Sequence, residues 1–259
     1  MKVTYKKQVT EFFADSENTA IKIAGGGYDW AYFKESLKHY RKYIRVTNVI
    51  DLRKTDKEIF DGFSSTCRNE IHKAEKLENI NINFNASIQE ISDLTAKMFL
   101  EKGITHTPEI DYKVENANKR VCITLIWNEI TIAHSYFIDE KHNLVLLRTS
   151  GSEFRGKELE YKKHVSNLNR YLHWQEILYF KKKGFDYYDF GGLGFLEEYE
   201  SGTSYVQGII KFKKSFGGEI KYIYRYDRIN YKKEIMIYVL FPLLLGKRIV
   251  KKIIKVIQQ

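Results

Sequence analysis

Cysteine and proline are nearly missing from this chain, with two of each in 259 residues. Cys67 and Cys122 are too few for a disulfide framework or a cysteine-built zinc cluster. Two prolines leave no Pro-rich linker, and neither repeats nor low-complexity tracts stand out. The opening residues MKVTYKKQVTEFF carry no long apolar stretch of the signal-peptide kind, so a cytoplasmic chain is expected. The apolar run IMIYVLFPLLL (235–245) is eleven residues long, short of the roughly twenty a bilayer requires, and Pro242 interrupts it. Three glycines in IAGGGYDW (23–30) are not followed by GxxxxGK[ST], so they are read as a turn opening a helix over roughly 30–41. His134, His164 and His173 share no metal-ligand spacing, and no metal is expected; His173, beside Trp174, reads as a packing residue.

What is abundant is aromatic surface, 15% of residues, and positive charge, a net +10. The aromatic content argues for a packed core rather than disorder. The location of the charge matters more than its sum. Asn230 to Gln259 holds seven Lys/Arg against one Glu, +6 of the +10, so the body is only mildly basic. That weakens whole-protein basicity as a sign of nucleic-acid binding; DNA is not expected as a partner. In the tail, Ile249, Ile253, Val256 and Ile257 share one helical face, with Lys247, Lys251, Lys252 and Lys255 at its sides. This pattern suits an interfacial helix, and 232–259 is expected to meet an anionic membrane at its inner face; the alternative is a last helix packed on the body.

The element pattern is mixed. YIRVTNVIDL (43–52) is a strand by its β-branched and aromatic content. SSTCRNEIHKAEKLENININF (64–84) predicts a capped helix followed by a short strand, and 87–103 a helix burying Ile88, Ile91, Leu94 and Met98. A helix is expected from Pro108 to Lys119, then a hairpin over 121–139 turning at Asn128-Glu129, and a third strand at 143–151. Leu159 to Lys183 reads as a helix and FDYYDF as a strand ending at a glycine pair. YVQGIIKFKKSF reads as a helix and GEIKYIYRY as a closing strand. The order implies an α+β, or mixed α/β, fold.

Two separated segments carry a resemblance. W-x2-I-x3-K-x2-G-F-x-Y-Y-D-F-G-G, starting at Trp174, precedes GIIKFKKSFGGE (208–219), and S-S-T-C-R-N-E-I-H-K-A-E-K (64–76) lies upstream. Together they resemble the Fem-type peptidyl-bridge aminoacyltransferases (FemABX), which sit within the GNAT-like acyltransferases. The resemblance spans about 43–227 and looks nearer to a shorter variant acting in surface-polysaccharide pathways. It implies a central, mostly antiparallel sheet flanked by helices, with two GNAT-like halves. The organisation expected is a partial GNAT-like subdomain (1–85), a catalytic domain (86–230) and the basic tail (231–259). The common GNAT pyrophosphate loop, Q/R-x-x-G-x-G/A, is not matched: EFRGKELEYKK (153–163) has the wrong spacing.

Such enzymes join a primary amine to an activated acyl carbon, which requires an uncharged amine and donors for the tetrahedral oxyanion. By resemblance, Lys213 stabilises the oxyanion or the donor's phosphate and Phe212 shapes the pocket; otherwise Lys213 caps helix carbonyls. Lys214 reads as solvated. Gly191 and Gly192 form a positive-φ turn, or let backbone amides approach a carbonyl or phosphate. Asp189 accepts the ammonium proton, orients the acceptor, or bonds the turn backbone. The donor opening is expected between DYYDF and the strand near Arg148. By the same resemblance Arg68 and Lys73 are acceptor-side candidates; Tyr199, in a loop placed to cover the acceptor, follows Glu197 and Glu198, whose carboxylates are bases or simply solvated. No tightly bound cofactor is expected, the co-substrate being acyl-CoA or aminoacyl-tRNA. The acceptor would be a nucleotide- or lipid-linked amino sugar or peptide, so tRNA is a candidate partner. The leading expectation is an N-acyltransferase acting on an amino sugar. A Fem-type transferase acting on a peptidoglycan precursor and a non-catalytic GNAT-like binding module are the alternatives.

Overall fold

A computed structural model describes residues 2–5, 8–14, 29–31, 36, 40–101, 113–114, 120–140, 142–154, 156–202 and 207–228. The basic tail therefore lies outside the described residues. Among the described residues, eleven strands run β1 Lys2–Tyr5, β2 Gln8–Ala14, β3 Asp29–Ala31, β4 Tyr40–Asp51, β5 Asn81–Asn83 and β6 Lys113–Val114. They continue with β7 Arg120–Trp127, β8 Ile130–Asp139, β9 Leu144–Ser152, β10 Tyr187–Phe195 and β11 Glu219–Arg228. The helices are α1 Asp56–Asp61, α2 Ser65–Ala74, α3 Ile88–Glu101, α4 Leu159–Lys182, α5 Leu196–Ser201 and α6 Gln207–Lys214.

Local chemistry places several of these ends. Thr55 and Glu58 close a capping box on α1, satisfying two amides that an isolated helix start leaves without partners. Ser64 caps α2 by accepting from the Cys67 N–H at 3.2 Å, and the stripe Cys67, Ile71 and Ala74 faces the core. Asn128 takes the positive φ of the β7–β8 hairpin turn.

The strands pair in the order β5-β7-β8-β9-β10-β4-β11-β3-β2-β1-β6. Most neighbours are antiparallel; β9/β10 and β2/β3 are parallel. The β9–α4–β10 crossover is the parallel unit that concerns function. Nearly all of β8 is buried on both faces. The main core, with α1, α2 and α4, covers one side, while Ile91 and Leu94 of α3 pack on Cys122 and Ala133 from the other.

Where the expected helices at 30–41 and 108–119 fall on described residues the chain is mostly strand, and most of both spans lies outside the described residues. Asp29–Ala31 is a strand and Tyr40 already belongs to β4, whose ladder to β11 extends through Tyr40–Arg228. Lys113–Val114 pairs with Thr4 and Val3 of β1 instead of continuing a helix. In both places long-range pairing overrides local propensity. The glycines after DYYDF do not end the strand, because β10 runs through them to Phe195 with bulges between Asp189 and Gly194. Tyr199 lies on α5 rather than in a loop.

The end of α6 is tied to the rest of the core. The Ser64 N–H donates to the Ser215 carbonyl at 2.8 Å, and Phe216 packs edge-on to Phe63 at 5.2 Å. Gly217 has φ +65°, and a Cβ there would run into the Gly62 carbonyl oxygen. Gly217→Ala is expected to destabilise the fold by at least about 2 kcal/mol, read as a lower urea midpoint at unchanged slope.

Candidate active site

β10 and β9 pair in parallel over only three residues, Tyr187–Asp189 against Leu144–Leu146. Beyond that, β10 stays with β4 while β9 stays with β8 as far as Ser152. No ladder joins the two strands past this point, so a wedge opens in the middle of the sheet, at the carboxyl end of a parallel pair. Gly191 stands at its apex with φ +70°, and a Cβ there would lie 2.7 Å from the Leu147 carbonyl oxygen. Only glycine fits both constraints.

The last turn of α6 delivers Lys213 to this apex. Its Nζ donates to the Gly192 carbonyl at 3.2 Å and lies 3.8 Å from the place of a Gly191 Cβ. Asn48 of β4 fixes the helix end, donating from Nδ2 to the carbonyls of Lys213 (3.0 Å) and Gly217 (2.7 Å). Asp189 is fully buried. Its Oδ1 accepts from the Gly191 N–H at 2.7 Å and from the Thr47 hydroxyl, while Oδ2 has no hydrogen-bond partner among the described residues. Burial pushes the Asp189 carboxyl up to about 6, against the pull of those two donors and of Lys213 and Lys221. Burial likewise lowers Lys213 to about 8; Asp189 opposes the shift and Arg45 adds to it. The Arg45 guanidinium lies over the Phe195 ring at 4.9 Å, and a Cβ on Gly192 would sit 2.6 Å from its Nη2. A carboxylate poised near neutrality thus sits beside a cation at the apex of a sheet opening, which is the combination proton removal and anion stabilisation require.

Three solved structures share the architecture at low identity. The chain matches the crystal structure of FemX with a TM-score of 0.56 at 13% identity, over 88% of this chain and 72% of that one. It matches the C-terminal domain of a protein assigned as a lysylphosphatidylglycerol synthetase from Agrobacterium fabrum with a TM-score of 0.53. Identity there is 9%, over 91% and 84% of the two chains. For L-PGS from Bacillus licheniformis the TM-score is 0.51 at 11% identity, over 93% and 83%. The fold is GNAT-like. No family model matches the chain, and no curated protein sequence does. At these identities the likeness establishes the architecture and leaves the chemistry to the residues.

Of the residues singled out in the sequence, Lys213, Asp189, Gly191 and Gly192 converge on the apex. Arg148 follows Leu147 on β9, in the stretch that has left β10. Phe212 turns into the aromatic core, its ring 5.7 Å from His173 and 5.4 Å from Phe216, with the Arg170 guanidinium over it at 4.7 Å.

Of the acceptor-side candidates, Arg68 and Lys73 make their contacts elsewhere, whereas Tyr199 packs on Val46, Leu193 and Ile210, from the two strands and the helix that carry the apex. Arg68 donates from Nη1 to the carbonyls of Asp61 (2.9 Å) and Phe63, closing the end of α1. Lys73 is nine residues along α2 from the Ser64 contact, about 13 Å at helical rise. It lines a separate surface cavity of about 700 Å³ between α2 and α4. Tyr199 accepts a hydrogen bond from Lys214 Nζ at 3.2 Å, and Glu198 caps α5 by accepting from the Phe195 N–H at 3.1 Å. Lys214 is exposed but not purely solvated.

Thr47, Asn48 and Arg45 were not legible as site residues. Their only signal was a polar pair, Thr-Asn, interrupting the apolar run of a central strand. No transmembrane-length apolar helix occurs among the described residues.

Proposed function

We propose that the chain is an N-acyltransferase that forms an amide on a primary amine of a cell-envelope precursor. The acceptor is an amino sugar destined for a surface polysaccharide and the donor an acyl-CoA thioester. One observation carries the reading: the β9/β10 wedge with Lys213 and Asp189 at its apex. The acceptor enters as an ammonium ion and gives a proton to Asp189 Oδ2. The free amine attacks the thioester carbonyl, and the Lys213 ammonium stabilises the oxyanion that forms. Collapse breaks the C–S bond, the proton leaving the attacking nitrogen goes to the thiolate sulfur, the amide is released, and Asp189 returns its proton to solvent. The mild charge of the body supports a CoA donor over tRNA, whose phosphates call for a broad basic surface. The basic tail would hold the enzyme at the inner face of the membrane, near a lipid-linked acceptor.

The resemblance to Fem-type sequences, joined by the FemX and lysylphosphatidylglycerol synthetase folds, favours a second reading, an aminoacyl donor carried on tRNA. Incubating the protein with short and long acyl-CoAs, or with charged tRNA, and nucleotide-linked amino sugars separates the two. Thiol release that depends on an amino sugar, with the matching mass gain on that sugar, is the expected outcome. Transfer from charged tRNA alone would move the protein to the second reading. Silence with every donor would leave a binding module.

A further inference from the structure

The core beneath the wedge holds a polar cluster that the chemistry above does not use. His134 and Tyr136 come from β8, His173 and Glu176 from α4, and Tyr188 from β10. All five are essentially without solvent exposure. Tyr136 OH lies 2.5 Å from Glu176 Oε2 and 2.7 Å from Tyr188 OH, which lies 2.8 Å from His173 Nδ1. His134 Nδ1 is 2.9 Å from both Glu176 oxygens.

The hydrogens in this cluster have one consistent order. Burial pushes the Glu176 carboxyl up, but the two histidines more than offset it, so Glu176 is ionised and can only accept. Tyr136 therefore spends its proton on Glu176, and Tyr188 donates to the Tyr136 oxygen. His173 must then donate its Nδ1–H to the Tyr188 oxygen. The chain runs one way, from His173 through Tyr188 and Tyr136 to Glu176.

His134, His173 and Glu176 also bring metal-type donor atoms within 4.8 Å of one another. The two imidazoles, however, stack at 4.2 Å and 21°. Lone pairs lie in the ring planes, so rings this nearly parallel cannot both point at one ion. The order of hydrogens also makes both Nδ1 atoms donors.

The orientation fixed on His173 reaches the apex. Its ring packs against Phe190 (5.1 Å), next to Gly191, and against Phe212 (5.7 Å) and Phe216 (5.4 Å), which flank Lys213 in sequence. We propose that His173, held by the Tyr188–Tyr136–Glu176 chain, is a positioning residue that sets the Lys213 end of α6 over the wedge. This rests on the acyl-transfer reading for its consequence, but not for its test.

Three variants decide it: His173→Asn, which keeps an amide donor near the Nδ1 position, His173→Leu, which removes it, and Tyr188→Phe, which removes its 2.8 Å acceptor and leaves only Glu176 Oε2 at 3.3 Å. Pulse labelling of Lys213 with trace acetic anhydride across pH, read by peptide mass spectrometry, reports the state of its amine without any substrate. In the wild type and His173→Asn the amine should titrate near 8. In His173→Leu and Tyr188→Phe it should move towards the ordinary lysine range. In the acyl-transfer assay, kcat should fall roughly 10- to 100-fold in those two, with KM nearly unchanged. If only the melting temperature drops while Lys213 titration stays put, the cluster is structural and the proposal fails. It fails equally if Asn behaves like Leu, or if elemental analysis finds one metal ion per chain. Should His173→Leu not fold, Tyr188→Phe carries the decision. Should the wild type transfer no acyl group, the labelling result stands on its own.

Discussion

Lys213→Ala should lower kcat for acyl transfer by roughly 10²- to 10³-fold, the loss seen when an oxyanion donor is removed. KM should change little, since the interaction matters most when negative charge develops on the carbonyl oxygen. The pH profile gives the sharper signature. Asp189 must be ionised to take the ammonium proton, so kcat should rise as pH passes about 6. Lys213 must keep its proton to face the oxyanion, so kcat should fall as pH passes about 8. The residual activity of Lys213→Ala should keep the acid limb and lose the alkaline one. Lys213→Arg would not rescue the rate, because the guanidinium fork must fit where Nζ sits 3.8 Å from the place of a Gly191 Cβ. Initial rates between pH 5 and 9 on folded protein check all three points. A Lys213→Ala variant with wild-type kcat would remove the residue from the mechanism.

The parts of this site that were legible in the sequence are those encoded by short-range order. DYYDFGG followed by FKKSFGG placed a glycine pair, a carboxylate and a lysine within 25 residues, and these four groups do meet. Gly191 takes the positive φ expected of it, but neither glycine ends the strand, for a tertiary reason. Glycine usually weakens a strand, but β10 has lost its β9 partner there, and it bulges while staying attached to β4. Thr47 and Asn48 were invisible because their partners are 142 and 165 residues away. The histidines share no spacing in the sequence, yet His134 and Glu176 meet across 42 residues because β8 and α4 pack together. Arg68 is the opposite case: its motif stands out in the sequence, while its guanidinium donates to the Asp61 and Phe63 carbonyls at the end of α1. At the described ends of the 30–41 span, and at 113–114, pairing with β11 and β1 decides the backbone against the helices expected there.

Asp189→Asn should stabilise the protein at neutral pH while abolishing its proton-accepting function. The Asp189 carboxyl is raised from 3.8 to about 6 in the folded state. Its stabilising contribution is therefore complete below pH 3.8 and lost as pH rises through 6, a penalty of about 3 kcal/mol at neutrality. His173 behaves in reverse. Burial, together with the neighbouring His134, lowers it from 6.5 to about 4. Its contribution is complete above pH 6.5 and lost as pH falls through 4, again about 3 kcal/mol. Between pH 4 and 6 the two slopes oppose each other, so these groups leave wild-type stability nearly flat. Asn keeps an oxygen for the Gly191 N–H and the Thr47 hydroxyl and removes the charge, while its NH2 takes the place of Oδ2, which has no partner among the described residues. The gain at pH 7 should be about 2 kcal/mol, less than the full penalty because Lys213 loses its facing carboxylate. The variant's advantage should then shrink as pH falls and vanish near pH 4, exposing the histidine slope that Asp189 masks. Urea midpoints from pH 4 to 7.5 measure this directly. A variant no more stable than wild type at pH 7, or one whose advantage persists at pH 4, would mean that Asp189 is not held against its charge by burial. Its place as the proton acceptor would then lose its physical basis.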